Sequence, residues 1–146
     1  MDDCIFCKIV AGDAPATFLY RDDLVSAFMD IQPVTPGHLL VIPNVHGAYM
    51  SDIDEETAAQ IMRVAKRLNA AVRASGLQCE GVNFFVADGE AAMQEVFHVH
   101  LHVIPRFTGD QFGLRLPPHY PHQPPRSELD ANADRIRAQL HGEGKQ

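Results

Sequence analysis

The chain has 146 residues, 46% of them hydrophobic, which suits one ordinary domain with a real core. No apolar run approaches the ~18 residues of a membrane span. A net charge of −7 argues against a broad nucleic-acid or anionic-membrane surface. It leaves room for a small anionic ligand held by backbone amides and local imidazoles.

The acidic start Met1-Asp2-Asp3-Cys4 does not resemble a signal peptide. The 3 cysteines, which cannot all pair, suggest a reducing compartment, so the expected location is the cytoplasm. Cys4-Ile5-Phe6-Cys7 fits a zinc half-site, a redox pair or two reduced thiols. A thioredoxin-like motif would need a strand before it, and only three residues precede Cys4. A half-site needs two more ligands, for which His46 and His98 are candidates. Cys79 has no partner and reads as a small apolar residue.

Ile5, Phe6 and Ile9 fall at helical spacing and read as core. Gly12-Asp13-Ala14-Pro15 is a turn. Phe18 to Arg21 and Leu24 to Met29 are short strands joined by Asp22-Asp23, hence a hairpin. Asp30 closes the second strand. An acidic residue there is usually solvated or capping, but a carboxylate can also accept both vicinal hydroxyls of a ribose. After a proline-rich loop, His38 to Pro43 is nearly all apolar and reads as a central strand. A lone His38 would be a half-buried histidine with its hydrogen bonds satisfied.

Ser51 to Ser75 is the main helix, capped by Asp52 with Glu55 or Ser51 with Asp54 and ended by Gly76. Its expected apolar face is Ala58, Ile61, Met62, Ala65, Leu68 and Val72. Gly81 to Ala87 is the fourth strand, Asp88 to Ala92 a loop, and Met93-Gln94-Glu95-Val96 leads into the next strand. Such a loop can cradle phosphate with its amides.

Phe97-His98-Val99-His100-Leu101-His102-Val103-Ile104 alternates imidazoles with apolar residues, and Pro105 stops the run. As a strand it sends His98, His100 and His102 to one face and Val99, Leu101 and Val103 to the core. Three uses compete: a solvated strand face, a metal site and nucleophilic catalysis. A flat row closes a tetrahedron poorly without a ligand from elsewhere. A neutral imidazole can attack phosphorus or an acyl carbon if its other nitrogen is held by a hydrogen bond. Crowding keeps at least one ring neutral near pH 7.

Residues 106 to 113 form a loop. Residues 114 to 126 are rich in proline and read as an extended surface loop, with His119 and His122 exposed to solvent. Glu128 to Leu140, with Leu129, Ile136 and Leu140 at helical spacing, is a C-terminal helix, and the last five residues are frayed. The fold class is α+β: about five mainly antiparallel strands with one long helix against a face.

His98-Val99-His100-Leu101-His102-Val103 resembles the signature of the histidine-triad family of nucleotide hydrolases and transferases. Other pieces follow in the family's order, so the resemblance covers roughly residues 4 to 113. It implies a domain over 1–113, with the proline-rich loop and C-terminal helix of 114–146 in the same domain. It implies a homodimer in which two sheets join. It implies that His100 attacks the α-phosphorus of a nucleoside phosphoramidate or dinucleoside polyphosphate and forms a nucleotidyl-histidine. His98 would orient His100 through its main-chain carbonyl, and His102 would donate to phosphate oxygens or the leaving group. Gln94 would hold a non-bridging oxygen, and His38 would support the network. Asp30 would hold the ribose of a purine nucleotide or conjugate, with Ile5, Phe6, Ile9, Phe28 and Ile31 against the base. Bacterial-type members with Cys-x-x-Cys imply a structural zinc on Cys4, Cys7, His46 and His98. Ala87, Met93 and Glu95 depart from the family pattern, and Glu95 sets a carboxylate where a hydroxyl is usual. A non-catalytic nucleotide sensor or interaction dimer is the rival reading those departures feed. Neither reading requires a nucleic-acid polymer or a membrane.

Overall fold

The computed structural model describes residues 3–140, so the expected fraying of the last five residues lies outside the described region. One compact unit runs to Phe112 and a second begins at Gly113.

In the first unit, a short helix α1 (Ile5–Ala11) precedes strands β1 (Phe18–Arg21), β2 (Val25–Met29) and β3 (Leu39–Pro43). The long helix α2 (Glu55–Ala74) follows, then β4 (Gly81–Val86) and β5 (Leu101–Arg106). All pairings are antiparallel, and the sheet order is β1-β2-β3-β5-β4. The last strand in sequence is therefore inserted between β3 and β4. This brings the histidine segment to an interior strand of the sheet, beside the strand that His38 leads.

The two faces of the sheet serve two cores. On one, Val99, Leu101 and Val103 join Val25, Ala27, Leu39 and Val41 beneath Ile61, Val64, Ala65 and Val72 of α2. On the other, Phe28, Leu40 and Ile42 pack against Phe6 and Ile9 of α1. The β1–β2 turn is tied to α2 through Asp22. Its carboxylate accepts from Leu24 N, Val25 N, the Tyr20 hydroxyl and Gln60 Nε2 at 2.7–2.8 Å.

Several details differ from the sequence reading, the C-terminal helix among them, which spans Arg126–Arg137 and not Glu128 to Leu140. The helix expected from Ser51 begins at Glu55, because a 3-10 turn over Met50–Asp52 precedes it and Asp54 caps Thr57 N at 2.7 Å. Met62 is exposed, and Val64, three residues after Ile61 on the same helix face, joins the core. The last strand starts only at Leu101 and contains Pro105 instead of ending before it. Pairing with β3 ends at Leu39↔Val103, so Pro105 faces Val82 of β4 alone and its missing N–H interrupts no three-strand ladder.

In the second unit the C-terminal helix α3 spans Arg126–Arg137 and none of its residues is buried. Leu129, Ile136 and Leu140 are exposed, as are His119 and His122. Among the described residues, no helix is long and apolar enough to cross a membrane.

Candidate functional site

His98 and His100, just before β5, and His102 within it lie on the α1 side of the sheet, where they meet three different partners. His98 is fully buried. Its Nε2 donates to Pro43 O at 2.8 Å, which leaves Nδ1 as a bare lone pair. His100 donates from Nδ1 to His98 O at 2.7 Å, so its Nε2 carries the lone pair. The His100 and His102 rings stand 4.9 Å apart, centroid to centroid.

The third tautomer is set from further away. Val34 N donates to His38 Nδ1 at 3.0 Å, so the proton of His38 lies on Nε2. That nitrogen stands 2.8 Å from His102 Nδ1 and 3.5 Å from an Asp30 oxygen. His102 Nδ1 is therefore the acceptor, and its own proton lies on Nε2. Burial, helped by the neighbouring His100 and His38, depresses His102 to about 4. Burial also lowers His38, with Asp30 opposing it. The chain Val34–His38–His102 thus ends on a neutral N–H donor next to the lone pair of His100.

Cys4 and Cys7 flank the first turn of α1, and His46 follows β3. Their sulfurs and nitrogens close on His98. Cys4 Sγ and Cys7 Sγ lie 3.4 and 3.6 Å from His98 Nδ1, Cys7 Sγ lies 3.3 Å from His46 Nδ1, and the two Nδ1 atoms are 3.3 Å apart. A tetrahedral zinc, with Zn–S about 2.3 Å and Zn–N about 2.0–2.1 Å, sets S···N edges of about 3.5 Å and N···N edges of about 3.3 Å. The donor set, the distances and the tautomer of His98 fit that ion. Histidine Nδ1 atoms facing each other and two thiols are poor hydrogen-bond partners, which is a further reason to regard the cluster as a cation cage.

A cavity of about 590 Å³ opens over His100 and His102. Ile5, Phe6, Ile9, Phe28, Asp30 and Ile31 all line it, and the volume suits a small-molecule ligand. The edge of Phe6 meets His100 at 5.2 Å between centroids. Asp30 turns one oxygen to Gln32 N at 2.8 Å and the other toward His38. Ile31 is almost wholly exposed at the mouth.

Gln94 departs from its expected place. It is buried and does not line the cavity. Its Oε1 accepts from Gly89 N at 2.8 Å, and its Nε2 donates to Ala48 O and Val96 O at 2.7 and 3.2 Å. The side chain is spent on holding its own loop, with Met93 in the left-handed region at φ 69°. The residues that do reach the cavity from this loop are Met93, Glu95 and Val96. Sequence reasoning also missed the backbone partners, Val34 N–H and the Pro43 and Ala48 carbonyls, because main-chain groups leave no residue-type signal.

The HIT domain family matches residues 11–109. An uncharacterized HIT-like protein of Borreliella burgdorferi is 46% identical over 116 residues, 79% of this chain and 84% of that one. An adenosine 5′-monophosphoramidase of Schizosaccharomyces pombe is 38% identical over 138 residues, covering 94% of this chain and 98% of that protein. The crystal structure of a HIT-family protein from Bacillus subtilis superposes with a TM-score of 0.86 at 37% identity, over 97% of this chain and 99% of the other. A zinc-bound histidine-triad protein from Mycobacterium smegmatis has a TM-score of 0.73 at 40% identity, over 95% and 99%.

Proposed function

The chain belongs to the HIT domain family, and from that premise we propose that it cleaves nucleoside phosphoramidates or dinucleoside polyphosphates at the α-phosphorus through a nucleotidyl-histidine. The observation that carries this reading is the pairing of tautomers. A bare Nε2 on His100 lies beside an N–H donor on His102. A nucleophile needs the first and a phosphate oxygen needs the second. The monophosphoramidase name of the fission-yeast relative supports the substrate class.

In the proposed reaction Asp30 accepts the ribose hydroxyls, and Phe6, Ile9 and Phe28 wall the base. The Nε2 lone pair of His100 attacks the α-phosphorus while His102 Nε2–H donates to a non-bridging oxygen. The bonding pair of the scissile P–N bond leaves with the nitrogen, which already carries its proton in a protonated phosphoramidate. In a polyphosphate the P–O pair leaves on an anionic oxygen. Water then attacks the same phosphorus, the P–Nε2 pair returns to the ring, the proton goes to solvent, and the nucleoside monophosphate departs. His102 is a hydrogen-bond donor here and not a proton donor. Giving up Nε2–H would leave an imidazolate, and His38 has no spare proton to replace it while Val34 N–H occupies its Nδ1.

Gln94 acts as a loop clamp in this reading. Cys4, Cys7, His46 and His98 would hold a zinc ion, which ties α1 to the sheet and supplies no chemistry to the reacting phosphate. Two copies would join along β4, an outer strand of the sheet that exposes Phe84 and Val86.

The test is a short incubation with an adenosine phosphoramidate, quenched in alkali, with intact mass and peptide mapping. The expected result is one adenylyl group on His100 and release of adenosine monophosphate. A His100→Ala protein that binds adenosine monophosphate yet still turns the substrate over would overturn the assignment.

A further inference from the structure

We propose that Glu95 selects the leaving group: its carboxylate, at the cavity rim, favours amine leaving groups that carry a second positive charge and works against anionic ones. This rests on the reading of His100 as the nucleophile and names the substrate class that reading leaves open.

Charge comes first. Among the residues lining the cavity, the formally charged side chains are Asp30 and Glu95, and no Lys or Arg is present. The imidazole of His102 contributes no cation near pH 7, since burial holds it neutral. A polyphosphate tail carries several negative charges and would meet no counter-charge among these residues. An ammonium would meet a carboxylate.

Position comes second. The sheet order β2-β3-β5-β4 lays the cavity out sideways. Phe28 and Asp30, from the β2 end, lie on one side of His100 and His102. Ala87, just after β4, and the Met93–Val96 segment that follows it in the chain approach from the other. With base and ribose on the first side and phosphorus at His100, the second side and the mouth remain for the leaving group. Attack from the cavity floor expels that group in line, outward, where Glu95 is exposed.

Availability comes third. Asp30 is occupied by Gln32 N and faces His38. Glu95 forms no hydrogen bond or ion pair among the described residues. It is nevertheless held, because its neighbour Gln94 is buried and bonded to Gly89, Ala48 and Val96. The segment therefore presents Glu95 to the rim on a fixed backbone, and the carboxylate has no other partner to leave.

The experiment uses the full chain and three adenosine 5′-phosphoramidates of matched length, made from 1,4-diaminobutane, n-butylamine and 4-aminobutyrate. We expect kcat/KM to fall in that order, with about tenfold between the cationic and anionic amides, the size of one exposed attraction exchanged for one repulsion. Glu95→Gln should compress the spread to about twofold, Glu95→Lys should invert the order, and ~1 M salt should compress it in the unaltered protein. Each ratio is taken within one protein, so an overall change in activity does not affect it. A spread that Glu95→Gln and Glu95→Lys leave unchanged overturns the proposal while the hydrolase reading stands. Absence of adduct and product with all three amides, in protein that binds adenosine monophosphate, overturns the hydrolase reading and the selector together.

Discussion

His98 presents its main-chain oxygen to His100 Nδ1 at 2.7 Å and its ring Nδ1 to Cys4, Cys7 and His46. One residue therefore belongs to both the Cys/His cluster and the proposed catalytic pair. Whatever fixes the His98 ring also fixes the oxygen that orients His100, the proposed nucleophile, two residues away. Loss of the cage should act on both stability and rate. We expect Cys7→Ser to lower the zinc content of the purified protein below one per chain, to lower Tm by several degrees, and to reduce kcat more than it raises KM. Metal analysis by mass spectrometry, a melting curve and steady-state kinetics on the same preparation check the three parts. A variant that loses zinc and stability with kcat intact would separate the cage from the nucleophile.

The Val34–His38–His102 chain makes a different prediction, because it sets a tautomer without touching substrate. His38→Leu removes the donor to His102 Nδ1 and frees that ring to protonate on the wrong nitrogen. The expected loss in kcat is roughly 10- to 100-fold, the usual scale for partners that orient a functional ligand. His38→Gln can still present an N–H near the Nε2 position and should recover part of the loss. Equal damage from Leu and Gln would mean that His38 matters for packing alone.

The buried His102 ring also gives stability a pH dependence. Burial, then the neighbouring His100 and His38, lowers folded His102 to about 4, against an ordinary histidine value near 6.5. Between those values the unfolded chain binds the proton and the folded chain does not. Unfolding is therefore favoured progressively as pH falls through that window, and the stability is fully present above about 6.5. Within that window the His102 ring contributes a slope of about 1.4 kcal/mol per pH unit. Urea unfolding at pH 7.5 and pH 5 should show the loss, and His102→Gln, which cannot titrate, should show less of it. An equal slope in the two proteins would place the dependence elsewhere.

The sequence made the strands, the long helix and the faces of the histidine run legible because alternation and 3.6-residue spacing are imposed by burial. Val99, Leu101 and Val103 went inward as alternation requires, and Cys4, Cys7, His46 and His98 converge. The misses share a cause. Pro105 is tolerated in a strand because β3 does not extend past the Leu39–Val103 pair, and strand order is not written in local pattern. Gln94 has the right residue type for a phosphate ligand, but its amide is consumed by Ala48 and Gly89, contacts that depend on how distant loops meet. Glu95 looked like an obstacle to phosphate when read alone. Its place among the cavity-lining residues, which residue type could not reveal, is what the proposed leaving-group role rests on.

Asp30 supplies the last prediction. It follows β2, lines the cavity on the side away from β4, and keeps an oxygen 3.5 Å from His38 Nε2. If it holds the ribose through both hydroxyls, its contribution should vanish with the sugar oxygens it binds. A polar contact of this kind discriminates more strongly than an apolar one, because a missing hydroxyl removes hydrogen bonds that the half-buried carboxylate would otherwise accept. The unaltered protein should bind adenosine monophosphate at least tenfold more tightly than the 2′,3′-dideoxy analogue, measured by calorimetry. In Asp30→Ala the two affinities should converge, by weaker binding of the ribonucleotide and little change for the analogue. Because Asp30 also faces His38, the variant should be assayed for the pH dependence of its stability. A slope like that of the unaltered protein confines the effect to the sugar, whereas loss of binding for both nucleotides alike would mean that Asp30 supports the pocket and not the ribose.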